Sequence, residues 1–233
     1  MNEKRIKTGF GFNPKAFLFD MDGVIYDSMK YHAKAWHTSM AKFGIPMSEA
    51  DCYAHEGMRG LETIKELALE RCNKNIPDEE IRLMYEDKCQ EFAKFPPPEM
   101  MLGTKQLMQK IKAFGAEIVV VTGSGQKSVL SRICKDYDGL IVPELVITCF
   151  DVKRGKPAPD PYLMGLQKVG VKAEEAVVVE NAPLGVRAGK AAGIFTVAVN
   201  TGPLPDSMLA KEGADLIYPS VQAFCDDFEN LTK

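Results

Sequence analysis

Asp20 and Asp22 stand one residue apart, directly after the apolar run Phe17-Leu18-Phe19 and directly before Gly23. Two carboxylates at that spacing can divide the work of group transfer, one attacking as a nucleophile and the other handling the proton. The stretch from Ala16 to Phe19 has the length and unbroken apolar character of a buried strand. A strand that ends in charge presents it at the carboxyl edge of a sheet, where open α/β folds bind their ligands. Gly23 frees the backbone to turn beside the pair. Taken alone, the run also fits a strand end carrying two solvated acids.

Three further stretches repeat the pattern. Val119-Val120-Val121 runs into Thr122-Gly123-Ser124-Gly125, a small-residue loop able to offer backbone N–H groups and a hydroxyl to a phosphate. By itself it is equally a plain turn. Lys156 lies in Gly155-Lys156-Pro157-Ala158-Pro159, where the prolines hold the chain out of helix and strand and leave the lysine as a fixed cation or a solvated one. Val177-Val178-Val179 ends in Glu180-Asn181, which also suits a turn capping the helix near Pro183. Together the four stretches predict a phosphoryl-transfer site. Carboxylates and an amide at two strand ends supply oxygen ligands for Mg2+, a hard cation that keeps waters and binds substrate phosphate. A lysine and a hydroxyl supply donors for the phosphoryl oxygens.

The elements that must position these groups follow from periodicity. From about 28 to 95 the chain reads as helices only. Ser28 is placed to cap the first, with Tyr31, Ala35, Trp36, Met40 and Phe43 at helical spacing. Ser48 and Asp51 open a second, broken by the loop His55 to Gly60. Leu61, Ile64, Leu67 and Ala68 mark a third, and Ile81, Met84, Tyr85, Cys89 and Phe92 a fourth starting at Pro77-Asp78. Pro96-Pro97-Pro98 reads as a stiff connector. Thereafter helices and apolar strands alternate. A helix capped by Thr104 ends at Gly115 and precedes the strand Ile118 to Val121. A helix from Lys127 to Cys134 precedes Leu145 to Ile147, and Pro161 to Val169 precedes Ala176 to Val179. Pro183 to Ala192 precedes Phe195 to Val199, and a last strand near Leu216 is followed by a helix from Val221 to Phe228. Repeated units of this kind mean an α/β fold, a doubly wound parallel sheet with an inserted all-helical domain. The expected division is a core of 1–27 and 97–233 and a helical insertion of 28–96.

Composition narrows the partners. A net charge of -3, with Lys and Arg spread along the chain, gives no footprint for nucleic acid. Six cysteines without a CxxC pair suit reduced thiols better than disulfides or a zinc site. Met1 to Lys15 is charged and has no apolar run of signal-peptide type, and no stretch reaches membrane-spanning length. The expectation is a cytoplasmic monomer acting on a small phosphorylated compound, without nucleic acid or membrane.

Asp20-x-Asp22-Gly23, Thr122, Lys156 and Glu180-Asn181, in this order, resemble the four motifs of the haloacid dehalogenase superfamily, and the likeness covers almost the whole chain. The helical insertion is similar to the cap of its beta-phosphoglucomutase-like branch. The resemblance implies a Rossmann-like core in which Asp20 attacks phosphorus to form an aspartyl-phosphate and Asp22 protonates the leaving group, then activates water. It implies that Thr122 and Lys156 hold the phosphoryl oxygens, with Gly123 and Ser124 beside them. It places Mg2+ on Asp20, the Asp22 carbonyl and Asn181, with Glu180 nearby through water. The superfamily's dehalogenases lack the second aspartate, so Asp22 points to phosphoryl chemistry. His32 resembles the branch's hinge histidine, a partner for Asp22.

The loop from His55 departs from the mutase pattern. Glu56 stands where the resemblance leads one to expect lysine, and Gly60 where it leads one to expect the arginine that grips a distal phosphate. Gly125 and Gln126 replace a lysine-asparagine pair. Arg59 could compensate by a shift of one residue. Fewer cations make a bisphosphorylated sugar harder to hold. Asn181 replaces an aspartate common among relatives, and Glu56 can restore that charge from the cap. The chain resembles bacterial members of the branch that act as inorganic pyrophosphatases, so pyrophosphate is the expected substrate. Beta-phosphoglucomutase or a sugar-phosphate phosphatase is the alternative.

Overall fold

The computed structural model describes residues 10–125 and 132–233. Its centre is a sheet of six parallel strands: β1 (Ala16–Phe19), β2 (Glu117–Val121), β3 (Val146–Ile147), β4 (Ala176–Glu180), β5 (Phe195–Val199) and β6 (Leu216–Tyr218). The order is β3-β2-β1-β4-β5-β6, so the chain leaves β1 toward one edge and later returns to β1's other side. That reversal, between β1 and β4, opens the crevice in which folds of this kind bind ligands. It places the end of β1, with Asp20, beside the end of β4, with Glu180.

Alternation along each strand sends side chains to two cores. Phe17 and Phe19 point to one face with Val120, Val177 and Val179, covered by α5 (Thr104–Phe114) and the last helix, α10 (Val221–Leu231). Leu18, Val119, Val121 and Val178 point to the other, covered by α7 (Asp160–Val169) and α8 (Pro183–Ala191). The remaining core helices among the described residues are α6 (Ile133–Asp136) and α9 (Asp206–Lys211). None of the described helices is long and apolar enough to cross a membrane.

Between β1 and α5 the described chain is helical: α1 (Met29–Lys42), α2 (Glu49–Ala54), α3 (Gly60–Cys72) and α4 (Asp78–Ala93). Trp36, Met40, Ile64, Leu67, Ile81 and Met84 close a separate apolar cluster among them. Pro96 to Pro98 follow without helix or strand, and the Arg132 guanidinium donates to the Pro98 carbonyl at 3.1 Å.

Local capping departs from the sequence expectation at two sites, each time because tertiary structure offers the hydroxyl a better acceptor. Thr104 is the first residue of α5 and its hydroxyl donates to the Val24 carbonyl at 2.6 Å; Gly103, at φ 88°, takes the cap position. Ser28 precedes α1 but makes no cap bond. Its hydroxyl goes to Asp22. The helix expected from Lys127 lies mostly outside the described residues, and α10 continues three residues beyond Phe228.

At Ser48 the expected cap forms in full. The Ser48 hydroxyl accepts from the Asp51 N–H, the Asp51 carboxylate accepts from the Ser48 N–H, and Arg71 of α3 adds two bonds at 2.7 and 3.0 Å. The Arg71 bonds lead in pulling the Asp51 carboxyl down to about 2. A depressed acid contributes stability above its unfolded pKa and loses it as pH falls through the folded value. Asp51→Ala is therefore expected to cost about 1 kcal/mol near neutrality. Urea unfolding should show the gap to the parent narrowing as pH drops from about 4 toward 2.

Candidate active site

Lys156 sits buried under the crevice, reached from the loop before α7. Its ammonium donates to Asp20, to Glu180 Oε1 at 2.6 Å and to the Val121 carbonyl at 3.0 Å, and lies 5.0 Å from the Tyr162 ring centroid. Tyr162 donates to the same Glu180 oxygen at 2.8 Å. The other Glu180 oxygen accepts the N–H groups of Asn181 (2.9 Å) and Ala182 (3.1 Å). Glu180 therefore belongs to β4 and holds both the lysine and the turn into α8. Gly185 is required there, because a Cβ would fall 1.7 Å from Glu180 Oε1.

The acids outnumber the cations in this space. Burial, against the pull of Lys156, and then the Glu180 and Asp22 carboxylates push Asp20 up to about 8. Burial alone would lower Lys156, yet Asp20 and Glu180 hold it above its ordinary value.

Asp22 is served from the helical side. Its Oδ1 accepts from the Ser28 hydroxyl at 2.6 Å and faces His32 Nε2 at 3.2 Å. His32 Nδ1 lies 2.8 Å from the Lys88 ammonium, which only donates, so the ring proton is assigned to Nε2. Burial opposes ionisation of Asp22, but His32, Ser28 and Lys88 outweigh it and hold the carboxyl below its ordinary value. Burial and then Lys88 depress His32. Lys88 itself is fully enclosed, 5.1 Å from the Trp36 ring and 5.3 Å from Phe92, and burial lowers its pKa.

Lys88 is not among the residues to which the sequence motifs point. A signal was present: it falls four residues after Met84 and four before Phe92, on the apolar stripe of α4, where a lysine is out of place. Lys88→Met is expected to lower turnover at least about 10-fold while letting the His32 pKa rise, since the depressing charge is gone. A histidine NMR titration reads that rise, which a merely structural lysine would not cause.

The loop His55 to Gly60 seats the helical domain on the core. A Cβ on Gly123 would lie 2.6 Å from the Gly57 carbonyl, so the two backbones touch. Glu56 is buried, and its Oε1 accepts from Asn181 Nδ2 at 2.8 Å. Burial first, then the Asp20 charge, raises its carboxyl well above the usual range, against the Asn181 bond. Gly23, at φ 82°, admits this contact: a Cβ there would fall 2.1 Å from Asn181 Nδ2. Thr122, at the end of β2, is buried and its hydroxyl accepts the Ser124 N–H at 2.9 Å.

Asp20, Asp22, His32, Glu56, Lys88, Thr122, Gly123 and Ser124 line one cavity of about 60 Å3, room for a few waters. Arg59 is not brought there. Its guanidinium donates to the Lys153 carbonyl at 2.9 Å and its stem packs on Gly155, because Gly60 starts α3 and turns the preceding residue outward. Gln126 lies outside the described residues. The donors suit a hard cation in kind: the charges of Asp20, Glu180 and Asp22 all bear on the Glu56 carboxyl, and Asn181 Oδ1 is buried with no partner among the described residues.

A parallel α/β core with paired acids, a buried lysine and a hydroxyl at the strand ends has the make-up of a phosphoryl-transfer site. The family model for haloacid dehalogenase-like hydrolases matches residues 14–193, and the chain belongs to that family. It is 34% identical to hexitol phosphatase A of Escherichia coli (strain K12), covering 89% of this chain and 92% of that one. It is 28% identical to the beta-phosphoglucomutase of Bacillus subtilis (strain 168), covering 87% and 88%. A solved Bacteroides vulgatus structure described as a "putative beta-phosphoglucomutase" superposes with a TM-score of 0.90 at 48% identity, covering 94% of this chain and 89% of that one.

Proposed function

We propose that this chain is a Mg2+-dependent phosphohydrolase working through an aspartyl-phosphate on Asp20, with inorganic pyrophosphate its favoured substrate. The observation that carries the choice of substrate is Glu56, which lines the cavity of about 60 Å3 and reaches from the helical domain onto Asn181. A carboxylate so placed faces an anionic substrate, a repulsion tolerable only with a cation between them. The small space suits a compact leaving group. Residues 28–96 then act as a cap over a core of 1–27 and 97–233.

Asp20, Asp22 through its carbonyl, Asn181 and Glu56 would hold the ion, with Glu180 nearby. When bound, Mg2+ supplies positive charge against the phosphoryl oxygens and the crowded carboxylates. Asp20 attacks phosphorus as the bond to the departing phosphate breaks; Asp22, resting as the carboxylate that His32, Ser28 and Lys88 favour, takes a proton from the water that cleaves the acyl-phosphate and passes it to the departed phosphate. Thr122, the loop N–H groups of Gly123 and Ser124, and Lys156 stabilise the phosphoryl oxygens. His32, oriented by Lys88, aims Asp22. The seated cap keeps bulk water out.

The test is phosphate release across pyrophosphate, hexose phosphates and glycerol phosphate. The highest kcat/KM on pyrophosphate is expected. The relatives favour a second reading, a sugar phosphatase or phosphomutase. A preference for a hexose phosphate, or its isomerisation without release, would establish that reading instead.

A further inference from the structure

Beside the catalytic cavity lies a second, far larger one of about 800 Å3 between the helical domain and the core. Its walls are mostly apolar, with Leu61, Phe92 and Phe95 on one side and Phe150, exposed at the mouth, on the other. That is the size and character of a site for a small organic molecule. Three residues, Gly60, Tyr85 and Gly123, line both cavities.

Of these only Tyr85 carries a side chain. Its ring lies flush on Gly60: a Cβ there would fall 2.1 Å from Cε2 and 2.5 Å from Cδ2. The ring is braced by Trp36, 6.2 Å between centroids.

We propose that Tyr85 is the partition that closes the phosphoryl-transfer cavity, and that the chamber behind it is a latent site for the organic group of a bulky aryl phosphate monoester. With the ring absent, the ester's phosphoryl group sits over Asp20 while its aromatic part occupies the chamber. Asp20 forms a bond to phosphorus as the ester P–O bond breaks and the aryl oxide leaves, to be neutralised by the proton that Asp22 draws from water in the second step. Water then cleaves the aspartyl-phosphate, giving its proton to Asp22 and releasing inorganic phosphate. The proposal rests on the phosphohydrolase reading of Asp20 and Asp22, and is independent of pyrophosphate as substrate.

The experiment compares the parent chain with Tyr85→Ala and Tyr85→Phe on 1-naphthyl phosphate. Tyr85→Ala should gain at least about 10-fold in kcat/KM, one tenfold step being ~1.4 kcal/mol of transition-state stabilisation, and Tyr85→Phe, which keeps the ring, should gain nothing. Adding Cys89→Trp to Tyr85→Ala refills the chamber and should abolish the gain. Where Tyr85→Ala fails to fold, Tyr85→Leu keeps apolar packing against Trp36 and takes its place. Calorimetry with 1-naphthylphosphonate, which is not hydrolysed, should show binding to the Tyr85→Ala chain and none to the parent. No gain and no binding in a folded variant, an equal gain in Tyr85→Phe, or a gain that survives Cys89→Trp each overturns the proposal. Binding without turnover of any phosphate compound, pyrophosphate included, upholds the chamber and sinks the phosphohydrolase reading instead.

Discussion

Asp20→Asn should abolish phosphate release from every substrate, with a fall of at least about 10^4-fold in kcat, because an amide neither attacks phosphorus nor carries the resulting acyl-phosphate. The same change should leave the fold intact or firmer. Asparagine keeps an oxygen for the Lys156 ammonium, and Lys156 retains Glu180 and the Val121 carbonyl. What disappears is a buried carboxyl raised to about 8 by burial and neighbouring acids. An acid raised in the folded state costs stability as pH climbs from its ordinary value of 3.8 through that raised one. With chelator present, the parent should therefore lose stability relative to Asp20→Asn between about pH 4 and 8, read by thermal unfolding. Residual turnover in a chelator-free assay, above that of buffer, would remove Asp20 from the chemistry.

Glu56→Ala should lower kcat/KM on pyrophosphate by at least about 100-fold, the scale of losing one preorganised electrostatic contact in a closed site. It should also raise the Mg2+ concentration needed for half-maximal rate. Glu56→Gln separates the two services of the side chain. Its amide oxygen still accepts from Asn181, so the cap stays seated, yet the charge is gone. Equal losses in both variants place the effect on the carboxylate charge; full activity in Glu56→Gln places it on cap seating. Neither variant should melt earlier by much, since each removes a buried acid held well above its usual range. Parent kinetics in both would exclude Glu56 from the mechanism.

Much of this site was legible in the chain itself, because strand ends announce themselves. Asp20, Thr122 and Glu180 each follow an unbroken apolar run, and a parallel sheet delivers such ends to one edge. The helical insertion was equally plain from its periodicity. Lys88 and Tyr85 were not, since both sit on the apolar stripe of α4, and such a stripe reads as packing. Arg59 was misplaced for the opposite reason: charge and a one-residue offset suggested the cavity, while the start of α3 at Gly60 directs the side chain to the Lys153 carbonyl. The hydroxyls of Ser28 and Thr104 likewise leave their helix caps, Ser28 for Asp22 and Thr104 for the Val24 carbonyl eighty residues away.

From its amino-acid order alone this chain determined the class of sheet, the helical insertion and the four stretches that make up the candidate site, because local hydrophobic period and turn residues act over a few positions. Only the folded molecule decided which groups meet across those stretches: Lys156 between Asp20 and Glu180, Lys88 behind His32, Glu56 on Asn181, and Tyr85 over Gly60. Those pairings depend on how a helical layer settles on a sheet edge, and settling is governed by shape and burial between segments far apart in sequence, which no local pattern encodes.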